Sequence, residues 1–143
     1  MDVRIKKLNE NAVIPRYATS GSAGMDLTAV SKEFDTKRNC WVYGTGWAFE
    51  IPEGYVGLVF PRSSVREKEC YMANCVAVID SDYRGEVKVS FKDRTEYRIE
   101  PPYEVGERCG QIIIIPYPKI NFILSEILSE TERGTGGHGS TGK

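Results

Sequence analysis

The sequence predicts an all-β fold, a sandwich or barrel. Two observations carry this: short apolar stretches, alternating or continuous, recur along the chain, and Gly, Pro, Asn and Asp bound them. Residues 3–8, with Val3, Ile5 and Leu8 set among cations, are the first strand. Residues 47–51 and 55–60 are two apolar runs separated by Pro52-Glu53-Gly54, a turn sequence. Residues 64–69 are the one helical candidate, because Ser64 and Glu67 have the S-x-x-E spacing of a capping box, which satisfies backbone donors at a helix start. Residues 76–79 form a continuous strand pattern. Over residues 86–91, Val87, Val89 and Phe91 alternate with Lys88 and Ser90, as in a strand with one wet face. Within residues 111–116, Ile112, Ile113, Ile114 and Ile115 read as a strand buried on both faces. Residues 121–127 are the last strand expected. Residues 131–143 contain five glycines and almost nothing to bury, so they are expected to be a mobile arm that orders on a ligand or a neighbour, beside a single domain over residues 1–130.

Composition narrows the function. With 143 residues and 41% apolar content the chain can bury one core of its own. A formal net charge of -1 leaves no basic footprint for a polyanion, so no nucleic-acid partner is expected. No apolar run approaches the roughly 20 residues of a bilayer span. The N-terminal sequence lacks the apolar region of a signal peptide, so a cytoplasmic location and no membrane partner are expected. Cys40, Cys70, Cys75 and Cys109 lack zinc-site spacing and read as buried reduced thiols. With His138 the sole histidine, a metal would be held mainly by carboxylate and substrate oxygens, which suits magnesium.

Three segments could carry chemistry. The run from Gly137 to Lys143 has the G-x-x-x-x-G-K spacing of a P-loop, but the Ser or Thr and the helix that loop needs do not follow Lys143. Ile79-Asp80-Ser81-Asp82-Tyr83-Arg84-Gly85 lies between two strand patterns, at an expected hairpin tip. By composition it is either a solvated turn or a metal-nucleotide site, with a carboxylate base and an aromatic platform. Pro61-Arg62-Ser63-Ser64 would bring a guanidinium, two hydroxyls and free helix N–H groups together, as a phosphate cradle or as simple helix capping.

These last two segments occur in a fixed order with three others: Ala23-Gly24-Met25-Asp26-Leu27 before them, then Gly106-Glu107-Arg108-Cys109-Gly110-Gln111, and Arg133-Gly134-Thr135-Gly136-Gly137-His138-Gly139-Ser140-Thr141-Gly142. The set, spread over nearly the whole chain, resembles the five motifs of the trimeric dUTPases. The resemblance implies a distorted jelly-roll, β-clip-like subunit with one short helix. It also implies a homotrimer whose swapped C-terminal arm closes over a neighbour's active site. The implied reaction is magnesium-dependent hydrolysis of dUTP to dUMP and pyrophosphate, which limits uracil incorporation into DNA and supplies dUMP for thymidylate synthesis.

The resemblance also implies roles. Asp80 would orient and deprotonate the water that attacks the α-phosphorus, and would meet the sugar 3′-OH. Tyr83 would lie against the deoxyribose and reject a 2′-OH by clash. The backbone around Asn74, Ala77, Val78 and Ile79 would pair with the uracil edge, with the Asn74 side chain assisting. Asp26 would hold Mg2+ through water. Arg62, Ser63, Ser64 and Gln111 would bind phosphate oxygens. Arg133, Gly139, Ser140 and Thr141 of the arm would grip the γ-phosphate when the arm shuts. Asp82 is expected to be structural, holding a nearby arginine.

Two positions depart from the family pattern. Ala77 replaces the usual Gly in the uracil-binding segment, and its methyl would crowd the base if the backbone there left the extended region. His138 stands where Phe usually stacks on uracil. Imidazole titrates near neutrality, so the KM for dUTP is expected to rise as pH falls from about 8 to about 5.5. His138→Phe should flatten that rise, and an identical KM profile in both enzymes would refute the role. Two other readings are open: a dUTP-binding regulatory trimer with little or no turnover, and a related dCTP deaminase, for which the additional carboxylate near the base is not evident.

Overall fold

A computed structural model of the chain describes residues 1–94 and 100–137. The all-β expectation holds. Among the described residues, three antiparallel sheets account for the strands. A two-stranded sheet pairs β1 (Arg4–Lys7) with β5 (Trp47–Glu50). One four-stranded sheet runs β2 (Met25–Thr28), β10 (Arg108–Pro116), β6 (Tyr55–Phe60), β8 (Ala77–Ile79). The other runs β3 (Ser31–Asp35), β4 (Cys40–Gly44), β9 (Lys88–Asp93), β7 (Cys70–Met72). No helix among the described residues is long and apolar enough to cross a membrane.

Strand alternation decides which side chains meet inside. In the β2–β10–β6–β8 sheet, Ile112 lies opposite Val59, and Val59 opposite Ala77; this row faces inward, with Ile112 and Val59 fully buried. From the other four-stranded sheet come Tyr43, Val89 and Phe91. Tyr43, Phe91 and Tyr103 pack as a ring triad with centroids 4.9 to 5.9 Å apart. The Tyr43 hydroxyl donates to the Tyr103 carbonyl and accepts the Tyr103 N–H, each at 3.1 Å. Burying side chains of this size contributes roughly 1.5–3 kcal/mol apiece. The same burial raises both phenols, Tyr103 to about 12.

Four expectations need correction. The isoleucine run is not buried on both faces: Ile112 is enclosed, but Ile113 is only partly buried and Ile115 is exposed, so among the described residues the outer side of the sheet is incompletely covered. Residues 121–127 form no strand. Phe122 is 92% and Ile123 83% exposed, since the segment pairs with no strand among the described residues. The expected helix at residues 64–69 is a 3-10 helix, Ser63–Glu67, and its N-cap Arg62 makes no side-chain cap bond. In that tighter winding Glu67 turns to Arg66, at 3.7 Å, and the capping box does not form. Of the four thiols, Cys40, Cys70 and Cys109 are buried but Cys75, in the β7–β8 connection, is exposed; none of them forms a disulfide. Burial raises the Cys109 thiol to about 12, which leaves it inert as a nucleophile.

Candidate active site

The segment containing Asp80 and Tyr83 is not a hairpin tip. It carries the chain from β8, at the edge of one sheet, to β9, inside the other, so it crosses a gap between sheets. A turn organises it: the Asp80 carbonyl accepts the Tyr83 N–H at 3.2 Å. The Tyr83 hydroxyl then donates to the Glu86 carbonyl at 3.1 Å, which folds the ring back over Gly85. A Cβ on Gly85 would lie 2.3 Å from the Tyr83 hydroxyl and 2.5 Å from Cζ. Gly85→Ala is therefore expected to push the Tyr83 ring out of place. If Tyr83 is the gate against ribose, the preference for dUTP over UTP should fall by about tenfold or more, measured as the ratio of kcat/KM values. An unchanged ratio would mean the ring position does not set sugar choice.

The connection between β7 and β8 is held in a similar way. Asn74 Oδ1 accepts the Ser90 N–H at 3.1 Å, and the Ser90 carbonyl accepts the Ala73 N–H at 2.7 Å. Asn74 thereby fixes the backbone that leads into β8. Ala77 sits in the β8 ladder opposite Val59 and packs against the core, so its backbone is extended and the condition for crowding is not met. Because β8 pairs with β6 on one side only, its other edge keeps backbone donors and acceptors available.

Together these segments enclose a cleft of about 640 Å³. Asn74, Ala77, Val78, Ile79, Asp80 and Tyr83 line it, all of them expected from the sequence. Glu86, Val87 and Lys88 line it too, and sequence reasoning missed these because they read as the start of a half-wet strand. Asp80 is exposed and has no ion pair among the described residues. The expected arginine partner of Asp82 is a correction: Arg84 Nη1 donates to the Ser81 and Tyr83 carbonyls, at 2.7 and 3.1 Å, and Asp82 has no ion pair among the described residues.

A second cluster forms where β2, β10 and β6 run side by side. Gln111 lies opposite Asp26 on one side and Phe60 on the other. Its Nε2 donates to the Pro61 carbonyl at 3.0 Å, and a Cβ on Gly24 would meet its Oε1 at 2.6 Å. Arg62 Nε donates to Asp26 Oδ1 at 2.8 Å and Arg108 Nη1 to Oδ2 at 2.9 Å. Two guanidinium groups on one carboxylate leave a net positive corner, a suitable place for phosphate. Arg108, within Gly106-Glu107-Arg108-Cys109-Gly110-Gln111, is a residue sequence reasoning missed, because its pairing with a residue 82 positions away is invisible to spacing. Ser63 and Ser64 open the 3-10 helix, and neither hydroxyl has a hydrogen-bond partner among the described residues.

Among the described residues no group of three or more His, Cys, Asp or Glu is placed to hold a metal. Asp26 spends one lone pair of each oxygen on a guanidinium and keeps acceptor capacity for water. These residues fit an ion held through water and by substrate oxygens, not one caged by protein.

The cleft at Asp80 does not include Arg62, Ser64 or Gln111, so the two clusters are separate in one chain. Arg133 Nε donates to the Gly136 carbonyl at 2.9 Å within a turn that places Gly134 at φ +52°. His138, Gly139, Ser140 and Thr141 lie outside the described residues.

Comparison with known proteins gives a consistent picture. A family model for dUTPase matches residues 10–142. The deoxyuridine 5′-triphosphate nucleotidohydrolase of Nautilia profundicola is 42% identical over 144 residues, covering 100% of both chains. That of Fusobacterium nucleatum is 42% identical over 147 residues, covering 99% of this chain and 98% of the relative. Among solved structures, the dUTPase of Staphylococcus bacteriophage 80alpha with dUpNHpp has a TM-score of 0.79 at 26% identity, over 99% of each chain.

Proposed function

The chain belongs to the dUTPase family, and we propose that it hydrolyses dUTP to dUMP and pyrophosphate by attack of water on the α-phosphorus. The observation that carries this reading is the cleft in which Asn74, Ala77, Val78, Ile79 and Tyr83 surround the free carboxylate of Asp80. The open edge of β8 offers backbone N–H and C=O groups in a fixed row, and a uracil edge pairs with such a row as another strand would. Tyr83 stands across the cleft as a wall for the sugar, with no space behind its ring because Gly85 is already there. Asp80 orients the attacking water and takes its proton.

The phosphates belong to the second cluster. Arg62 and Gln111 are held by Asp26 and Pro61, so they keep their positions before substrate arrives. Ser63 and Ser64 add hydroxyl donors, and Asp26 holds Mg2+ through water. When bound, the ion neutralises triphosphate charge and so lowers the cost of bringing the nucleotide beside Asp80. Arg133, Gly139, Ser140 and Thr141, on an arm over residues 131–143, close on the γ-phosphate, with His138 against the uracil.

A homotrimer joins the two clusters, with the nucleoside cleft of one subunit facing the phosphate cluster of the next. Two features support it. On the outer side of the β2–β10–β6–β8 sheet, Val78, Leu58 and Ile113 lie abreast, and Val56 lies beside Ile115, an apolar row in which Val78 and Ile115 are exposed and the others only partly buried. Phe122, Ile123, Leu124, Ile127 and Leu128 are likewise exposed along one segment. A dUTPase solved with dUpNHpp, an imido relative of dUTP, supports the choice of ligand.

Pyrophosphate release with magnesium tests the reading. Turnover of dUTP, with dCTP, dTTP and UTP consumed far more slowly, is the expected result. Ammonia released from dCTP would point instead to a deaminase, and dUTP binding without turnover to a regulatory trimer.

A further inference from the structure

We infer that Glu86 is a positioning residue for sugar discrimination: its carboxylate, fixed to the Gly46 N–H, holds the backbone carbonyl on which the Tyr83 hydroxyl rests. The inference rests on the dUTPase reading above and deepens it. Its starting point is that Tyr83, a half-exposed ring on a loop between two sheets, has its hydroxyl tied to the Glu86 carbonyl alone among the described residues. A ring on such a loop excludes a hydroxyl only if that anchor does not move.

Three contacts keep the anchor still. Glu86 Oε1 accepts the Gly46 N–H at 2.8 Å, and Gly46 lies at φ +73° in the tight link between β4 and β5, a position that suits glycine. Gly44 leaves the carboxylate its place: a Cβ there would lie 2.5 Å from Glu86 Oε1. On the far side, Glu86 Oε2 lies 3.7 Å from Lys88 Nζ, a cation it shares with Glu33. The next residue continues the seam, because Val87 donates its N–H to the Trp47 carbonyl at 2.9 Å and accepts from Thr45 Oγ1 at 2.8 Å. The gate ring is thereby referred to the β4–β5 link of the core, across 40 residues of sequence, and not merely to its own loop.

Alternative uses of Glu86 are weaker. As a general base it would compete with Asp80, but Oε1 is already occupied by an N–H and Oε2 faces a lysine. As a metal ligand it would need a cluster of such side chains, and no group of three or more His, Cys, Asp or Glu is placed to hold a metal among the described residues. Positioning is the function its three contacts perform together.

The test compares kcat/KM for dUTP and for UTP in the full-length enzyme with magnesium, alongside thermal unfolding. Glu86→Ala is expected to lower the dUTP/UTP ratio by about tenfold, chiefly through better use of UTP. Glu86→Gln keeps an acceptor for Gly46 and should hold the ratio within about twofold of wild type. Tyr83→Phe removes the tether from its other end, so it should reproduce the loss, and adding Glu86→Ala to it should change the ratio little further. That pair of measurements decides the matter even if Glu86→Ala alone folds poorly. A wild-type enzyme that does not distinguish dUTP from UTP would overturn the dUTPase reading and this inference with it. A discriminating wild type, with Tyr83→Phe or Glu86→Ala equally discriminating, would overturn the inference alone.

Discussion

Replacing Asp80 with Asn is expected to lower kcat for dUTP by about 10²- to 10⁴-fold while leaving KM within a few-fold. The choice of this carboxylate follows from what the others are doing. Asp26 spends both oxygens on Arg62 and Arg108, and Glu86 binds Gly46 N–H beside Lys88. Asp80 lines the nucleoside cleft, is exposed, and has no ion pair among the described residues, so it is free to receive a proton. An amide of the same shape still accepts a hydrogen bond from the sugar 3′-OH, which is why binding should survive. What it cannot do is take the proton of the attacking water. An Asp80→Asn enzyme that kept more than about a tenth of its kcat would remove Asp80 from the role of base.

Ile113→Glu is expected to dissociate the proposed trimer and to reduce dUTP turnover by about 100-fold or more. Ile113 lies opposite Leu58, which lies opposite Val78, on the side of the sheet that the described residues cover only in part. A carboxylate there meets water in a lone subunit and costs little. Buried between subunits, it appears three times per assembly with no cation to pair with, and each burial costs several kcal/mol. The inward row, Ile112, Val59 and Ala77, is untouched, so circular dichroism and the folded core should persist. Sedimentation should show monomers. An intact, fully active trimer carrying Glu at this position would show that the outer face is not the subunit contact.

Legibility varied along the chain for identifiable reasons. The strands β1, β5, β6, β8, β9 and β10 were visible because each carries enough apolar residues, alternating or continuous, to declare itself. The strands β2, β3, β4 and β7 were not. β3 reads Ser-Lys-Glu-Phe-Asp, with a single apolar residue, so its strand state comes from β4, the neighbour it pairs with. Residues 121–127 failed in the opposite direction. Their apolar pattern reports that they are to be buried, but a pattern cannot say against which chain.

The site divided along the same line. Asn74, Ala77, Val78, Ile79, Asp80 and Tyr83 lie within ten residues of sequence, so a motif could name them and folding then gathered them into one cleft. Arg108 and Glu86 act through partners 82 and 40 positions distant, and no local spacing encodes those pairs. Asp82 was expected to hold an arginine, but the guanidinium beside it in sequence, that of Arg84, donates to the Ser81 and Tyr83 backbone carbonyls instead.

Subunit complementation tests the central claim, that acid and phosphate groups from different chains make one site. Asp80→Asn and Arg62→Ala, each nearly inactive alone, would be co-expressed in equal amounts and purified together without sorting by subunit composition. If the two clusters come from neighbouring subunits, about a quarter of the sites in a random mixture regain both intact halves, and turnover should return to roughly that fraction of wild type. Mixed assemblies no more active than the two parents would contradict the account.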